Sequence, residues 1–177
     1  ASLFALSGLA TLTFTYSAAI LNEAAVPLPG WVSGLMILLN AGGASLFGIV
    51  MILLFIAYPL RVPRWKALSV LTIAGFGMWT AIGMTGLFHG GTMVQVITFT
   101  EMLVICVFVV VQVWQCRSQP QARAISLWLG LSVLFGAGPF IGLVAAPITF
   151  GFAPVMDEPL AFAFFLLIYI GLAVGLT

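Results

Sequence analysis

Cationic side chains occupy only two short stretches of this chain of 177 residues, and long apolar runs separate those stretches from the rest. The cations are Arg61, Arg64, Lys66, Arg117 and Arg123. Other gaps between the runs hold the single histidine and most of the acidic side chains, namely Glu23, His89, Asp157 and Glu158. This segregation is typical of a multi-span membrane protein whose basic loops stay in the cytoplasm.

The composition indicates that lipid is the solvent of this chain. It is 63% hydrophobic and only 5% charged, whereas a soluble domain usually carries about a quarter charged residues. With a net charge of +1, it has no cationic face for nucleic acid and no polybasic cluster for anionic lipid heads, so neither partner is expected. The first run lacks a basic leader and a small-residue cleavage pattern, which favours a retained span.

Six runs approach the roughly 20 apolar residues that cross a bilayer. They cover approximately 3–21, 31–58, 67–88, 94–116, 124–145 and 160–176. The alternation of basic and acidic connections places both termini in the cytoplasm. The sequence therefore predicts an all-α, polytopic transmembrane bundle that forms one domain over residues 1–177, with no internal repeat of the transporter kind.

Glu101 is the one formally charged side chain inside a predicted span. An intramembrane carboxyl costs several kcal/mol unless it is neutralised or paired, which makes it a functional-site hypothesis by default. Its helical face also carries Thr98, Ile105, Phe108 and Gln112, so a polar strip is expected to point into the bundle. The alternative is a neutral carboxyl that is hydrogen-bonded to another helix and serves packing alone.

Small residues surround Asn40 in the second run, and they favour helix packing. Small side chains let helices approach closely, and an amide among them can bridge helices by a hydrogen bond. The glycines to which we assign packing roles are Gly42, Gly43, Gly48, Gly138, Gly142, Gly171 and Gly175. The group around Pro139 also indicates a kink.

His89 could ligate haem or chlorophyll, or sense pH. Because it is the only histidine, a membrane haem with two histidine ligands is excluded within this chain, and a headgroup-level histidine is the simpler interpretation. No Cys-x-x-Cys pattern or other metal site is present. No nucleophile–base pair or phosphate loop occurs either, so no catalytic residue is predicted in this segment.

Several stretches resemble the membrane part of a group of bacterial sensor histidine kinases. They are LNAGGASLFG at 39–48, AYPLR at 57–61, QVWQCRSQPQAR at 112–123 and LAFAFFLLIYIGLAVGL at 160–176. The resemblance implies a multi-pass sensor of the bacterial inner membrane, a homodimer whose last helix continues into a cytoplasmic dimerisation helix and an ATP-binding kinase domain. Those cytoplasmic parts do not lie within the 177 residues, and no catalytic residue is carried over.

Three hypotheses stay open. The first is a sensor domain that binds an apolar or lipid-like signal and moves its last helix; its candidate sensing residues are Glu101, Asn40, His89, Thr98 and Gln112. The second is an accessory subunit of a respiratory or photosynthetic complex that holds quinone, haem or pigment. The third is a small transporter that uses Glu101 as its coupling site. The sequence identifies neither the signal nor a bound cofactor.

Overall fold

The computed structural model describes residues 2–23, 28–87, 90–157, 160–161 and 163–164. These residues are predominantly helical and include no strand, which confirms the predicted all-α class. The α-helices are α1 (Ser2–Glu23), α2 (Gly30–Ala57), α3 (Trp65–Ile82), α4 (Gly90–Gln115), α5 (Pro120–Phe140) and the short α6 (Ala146–Thr149). A π-helical turn, Gly83–Leu87, extends α3, and a second one, Ile141–Ala145, joins α5 to α6.

Four helical segments are long and apolar enough to cross a membrane: Gly30–Ala57, Trp65–Thr85, Val94–Ser118 and Pro120–Thr149. They correspond to the second to fifth predicted spans and support a membrane protein. The first run forms the 22-residue helix α1, and its crossing stays a prediction. The sixth run lies outside the described residues except at its beginning. Six spans and cytoplasmic termini therefore stay predictions.

The fifth helical segment is longer than its sequence suggested. The apolar run predicts an end near residue 145, but the helical segment continues through the π-helical turn into α6 and ends at Thr149. Pro139 lies inside α5 and has no N–H to donate, and Pro147 occupies the first turn of α6, where a proline is tolerated. The connection that follows therefore begins after Thr149, with Gly151 in the left-handed region at φ +80°.

Helix α2 lies at the centre of the described bundle and contacts α1, α3 and α4. Its second half is buried almost continuously and supplies Phe47, Met51, Ile52 and Phe55 to the core. Helix α3, in contrast, is mostly exposed, since Thr72 and Thr80 are its only buried residues. Within the described part of the chain, α3 thus exposes a large apolar surface.

Candidate functional site

Glu101 is fully buried between α4 and α2. Its side chain lies against Gly48, and a Cβ at that position would overlap the carboxyl group and come within 2.8 Å of Glu101 Cβ. The glycine is therefore what lets the carboxyl side chain enter the α2–α4 interface. This contact joins a predicted sensing residue to a predicted packing glycine.

Two hydroxyl groups link the carboxyl to a third helix. Ser45 on α2 donates a hydrogen bond to Glu101 Oε1 at 3.3 Å. Thr80 Oγ1 on α3 lies 2.6 Å from Ser45 Oγ and 2.9 Å from the Phe76 carbonyl of its own helix, so its one proton is shared between these two acceptors. Ser45 and Thr80 are both buried. We name Thr80, Ser45 and Glu101, which tie α3, α2 and α4 together, the three-helix polar contact.

The second carboxyl oxygen of Glu101 differs from the first. Oε2 is buried and has no hydrogen-bond partner within the described part of the chain. All five lysine and arginine residues lie in the two loop regions and at the adjoining helix starts, so none of them lies beside the carboxyl as a counter-charge. An unpaired polar atom in an apolar interior is unfavourable by about 1–3 kcal/mol, which makes this arrangement one that a proton, a ligand or a helix movement can change.

Gln112 lies on the same face of α4, 11 residues and about 16 Å from Glu101, and it makes a separate contact. Its Nε2 donates to the carbonyl oxygens of Phe55 at 2.5 Å and Leu60 at 2.6 Å. The Phe55 carbonyl would bond the amide of residue 59 in a continued helix, but Pro59 has none. Gln112 therefore caps α2 and fastens the first basic loop to α4.

Thr98 completes the buried polar strip of α4 but bonds only its own helix, donating to the Val94 carbonyl at 2.8 Å. Ile105 on this face is fully buried and Phe108 partly so. The strip thus faces the bundle, with Glu101 and Gln112 as its two inter-helical contacts.

Asn40 lies apart from this strip, at the contact between α2 and α1. Its Nδ2 donates to the Phe14 carbonyl at 3.2 Å. One turn along, a Cβ on Gly43 would come within 2.8 Å of Phe14 N and 3.0 Å of Ala10 O. Asn40 and Gly43 therefore form a close α1–α2 contact, separate from Glu101.

Gly42, Gly138 and Gly142 join neither contact. A Cβ on Gly42 would meet Met84 Cε at 3.9 Å, one on Gly138 would meet Leu134 of its own helix at 3.8 Å, and one on Gly142 would meet no described atom within 4 Å. Their packing roles stay predictions. His89, Gly171 and Gly175 lie outside the described residues.

A groove of about 380 Å³ runs between α3 and α4 on the outside of the bundle. Its walls are apolar and partly aromatic, and the residues of this α3–α4 groove are Leu68, Leu71, Thr72, Gly75, Phe76, Trp79, Val104 and Phe108. Sequence reasoning did not predict it. The convergence of its aromatic residues depends on how α3 packs against α4, which the sequence alone does not determine.

No group of three or more metal-ligating side chains occurs in the described ranges. Comparisons of the chain with protein-family models, curated proteins and solved structures gave no match. The resemblance to sensor kinases therefore stays a prediction, and any function has to be argued from the geometry.

Proposed function

We propose that the chain is the membrane-embedded sensory domain of a bacterial sensor histidine kinase, which relays an apolar or membrane-borne signal through its last helix to a cytoplasmic kinase. The resemblance of the sequence stretches motivates this proposal. The observation that carries it is the three-helix polar contact, because a sensor needs an interior contact that can exist in two arrangements.

The geometry of Glu101 supports such a switch. Its bond to Ser45 is long, at 3.3 Å, and Oε2 has no partner among the described residues, so the carboxyl is held less firmly than a fully bonded one. A signal shifts an equilibrium only by binding one arrangement more tightly than another. A ligand or a helix movement that gives Oε2 a partner would provide that difference.

The test uses the complete protein, with its reading frame beyond Thr177, reconstituted in nanodiscs. We expect autophosphorylation in the wild type, and altered basal or stimulated activity in Glu101→Gln and Ser45→Ala. Gly77→Ala is the matched control, since nothing lies within 4 Å of a Cβ there. A parent protein without a kinase domain would refute the function, whereas unchanged activity in both site variants would refute the site.

Proton-coupled transport is a second candidate, because a lone buried carboxyl in a span also suits a coupling site. Uptake into proteoliposomes that requires a proton gradient and disappears in Glu101→Gln would favour it over sensing. The accessory-subunit hypothesis stays a prediction. An absorption spectrum of the purified protein tests it, because haem or pigment would give visible bands.

A further inference from the structure

We propose that the α3–α4 groove and the cations at its basic end form a binding site for one anionic phospholipid. An acyl chain would lie in the groove, and the phosphate would lie between Arg61 and Lys66. This site goes beyond the proposed function and does not depend on it, because it rests on a different part of the molecule from Glu101.

The groove has the direction and length of a lipid chain. Leu68, Thr72, Phe76 and Trp79 follow one another at three- and four-residue spacing and so form one face of α3. From the first to the last, α3 rises about 16 Å, close to the roughly 15 Å of one leaflet of the hydrocarbon core. At the far end the Phe76 and Trp79 rings stack at 6.2 Å.

Two cations mark the basic end of the groove. Trp65 lies one turn before Leu68 on the same face of α3. Arg61 Cζ lies 5.1 Å and Lys66 Nζ 5.8 Å from the centroid of the Trp65 ring. Tryptophan, arginine and lysine side chains at the end of a span typically lie at the depth of the lipid headgroups. The cations are thus held beside the point where a chain in the groove would reach its headgroup.

The fold also brings the two basic stretches, which are far apart in the sequence, to the same end of the bundle. The bond from Gln112 to the Leu60 carbonyl brings the first basic loop against the end of α4, and Arg117 Cζ lies 5.0 Å from the Trp114 ring just beyond that end. The chain places its acidic residues in other segments. A phosphate would supply a counter-charge that no described side chain supplies at the basic end. The proposal thus differs from the sequence-based expectation of no anionic lipid partner.

A second copy of the chain fits the groove less well than a lipid. Copies related by a two-fold axis along the membrane normal would have the same orientation, so their basic ends would lie side by side. Like charges would then meet where Arg61 and Lys66 lie. An anionic lipid satisfies both the apolar groove and these cations.

The test measures lipid retention by native mass spectrometry on the full chain in detergent. The probes are 1-palmitoyl-2-oleoyl-phosphatidylglycerol and phosphatidylcholine with the same chains. We expect one phosphatidylglycerol to bind about 10–30-fold more tightly than phosphatidylcholine, and the double variant Arg61→Gln/Lys66→Gln to lose that preference. Both side chains are exposed, so the variant should fold.

The groove is tested with Gly75→Leu, which places an isobutyl group in it. Its matched control is Gly77→Leu, on the same helix but outside the groove lining; a Cβ meets nothing within 4 Å at either position. We expect Gly75→Leu to abolish retention and Gly77→Leu to preserve it. Any one of four results would overturn the proposal. They are equal binding of the two lipids by the wild type, equal loss of binding in both glycine variants, a dimer without lipid, and a copurified quinone in the groove.

Discussion

Replacing Gly48 by alanine tests whether the Glu101 side chain enters the α2–α4 interface as the structure shows. The substitution adds one methyl group, which would overlap the carboxyl group and lie 2.8 Å from Glu101 Cβ. Either the carboxyl must leave its position beside Ser45 or the helices must separate. Both responses weaken the three-helix polar contact, so we expect the variant to be less stable.

The magnitude follows from two opposing effects. Overpacking in a tight interior costs about 1–3 kcal/mol, while alanine in place of glycine stabilises a helix interior by about 0.5–1 kcal/mol. Gly48→Ala should therefore lose about 0.5–2 kcal/mol of unfolding free energy. Gly42→Ala, whose new methyl meets only Met84 Cε at 3.9 Å, should gain about 0.5–1 kcal/mol.

The assay is unfolding in mixed micelles by titration with sodium dodecyl sulfate, followed by far-ultraviolet circular dichroism. The two alanine variants should differ by about 1–3 kcal/mol although they make the same change on the same helix. In a Glu101→Ala background the loss at Gly48 should shrink, with a coupling energy of about 1 kcal/mol. Equal stability of Gly42→Ala and Gly48→Ala would refute the packing described here.

Three other outcomes are expected. Gln112→Leu should lose about 1–3 kcal/mol of unfolding free energy, because it leaves buried carbonyls without a donor, whereas Gln121→Leu at an exposed position should change it little; a similar loss in both would contradict the capping role. Asn40→Ala should lose about 0.6–2 kcal/mol in the same titration by removing an inter-helical bond, and no loss would contradict that bond. In a cysteine-free background, an impermeant thiol reagent applied to intact cells should label Phe152→Cys and spare Ser118→Cys, and the reverse would overturn the orientation.

Helix boundaries are predictable from the sequence where a proline lies next to the helix end. The observed α2, Gly30–Ala57, differs by one residue at each end from the predicted 31–58, because prolines lie just before and after it. The end of α5 was not predictable in this way. Pro147 resembles a helix stop, yet the π-helical turn before it lets a new first turn begin, and that turn depends on backbone hydrogen bonds that composition does not reveal.

The candidate site was predictable only in part. Glu101 stood out as the lone charge in a span, but Ser45 and Thr80 did not, since hydroxyl groups in helices commonly bond their own backbone, as Thr98 does. Thr80 also lies 2.9 Å from the Phe76 carbonyl of its own helix, so only tertiary packing determines that it contacts Ser45 as well. For Gln112 the sequence does contain an indication, because a proline at residue 59 leaves the carbonyl four residues earlier without its helical donor.

The two polar contacts of α4 restrict how the helices of this bundle can move against one another. Ser45 donates to Glu101, and the Phe55 carbonyl accepts from Gln112. Residue numbers therefore increase in the same direction along α2 and α4, so the two helices run parallel. Sliding α4 along α2 would break both contacts at once, whereas pivoting about Gln112 would break only the one at Glu101. Helix α3 is held to this pair through Thr80, one of its two buried residues. Loss of the Ser45–Glu101 bond would leave the Thr80–Ser45 contact and the Gln112 contacts in place. It would therefore free the middle of α4 from α2, while α3, which forms one wall of the groove, stays attached to α2.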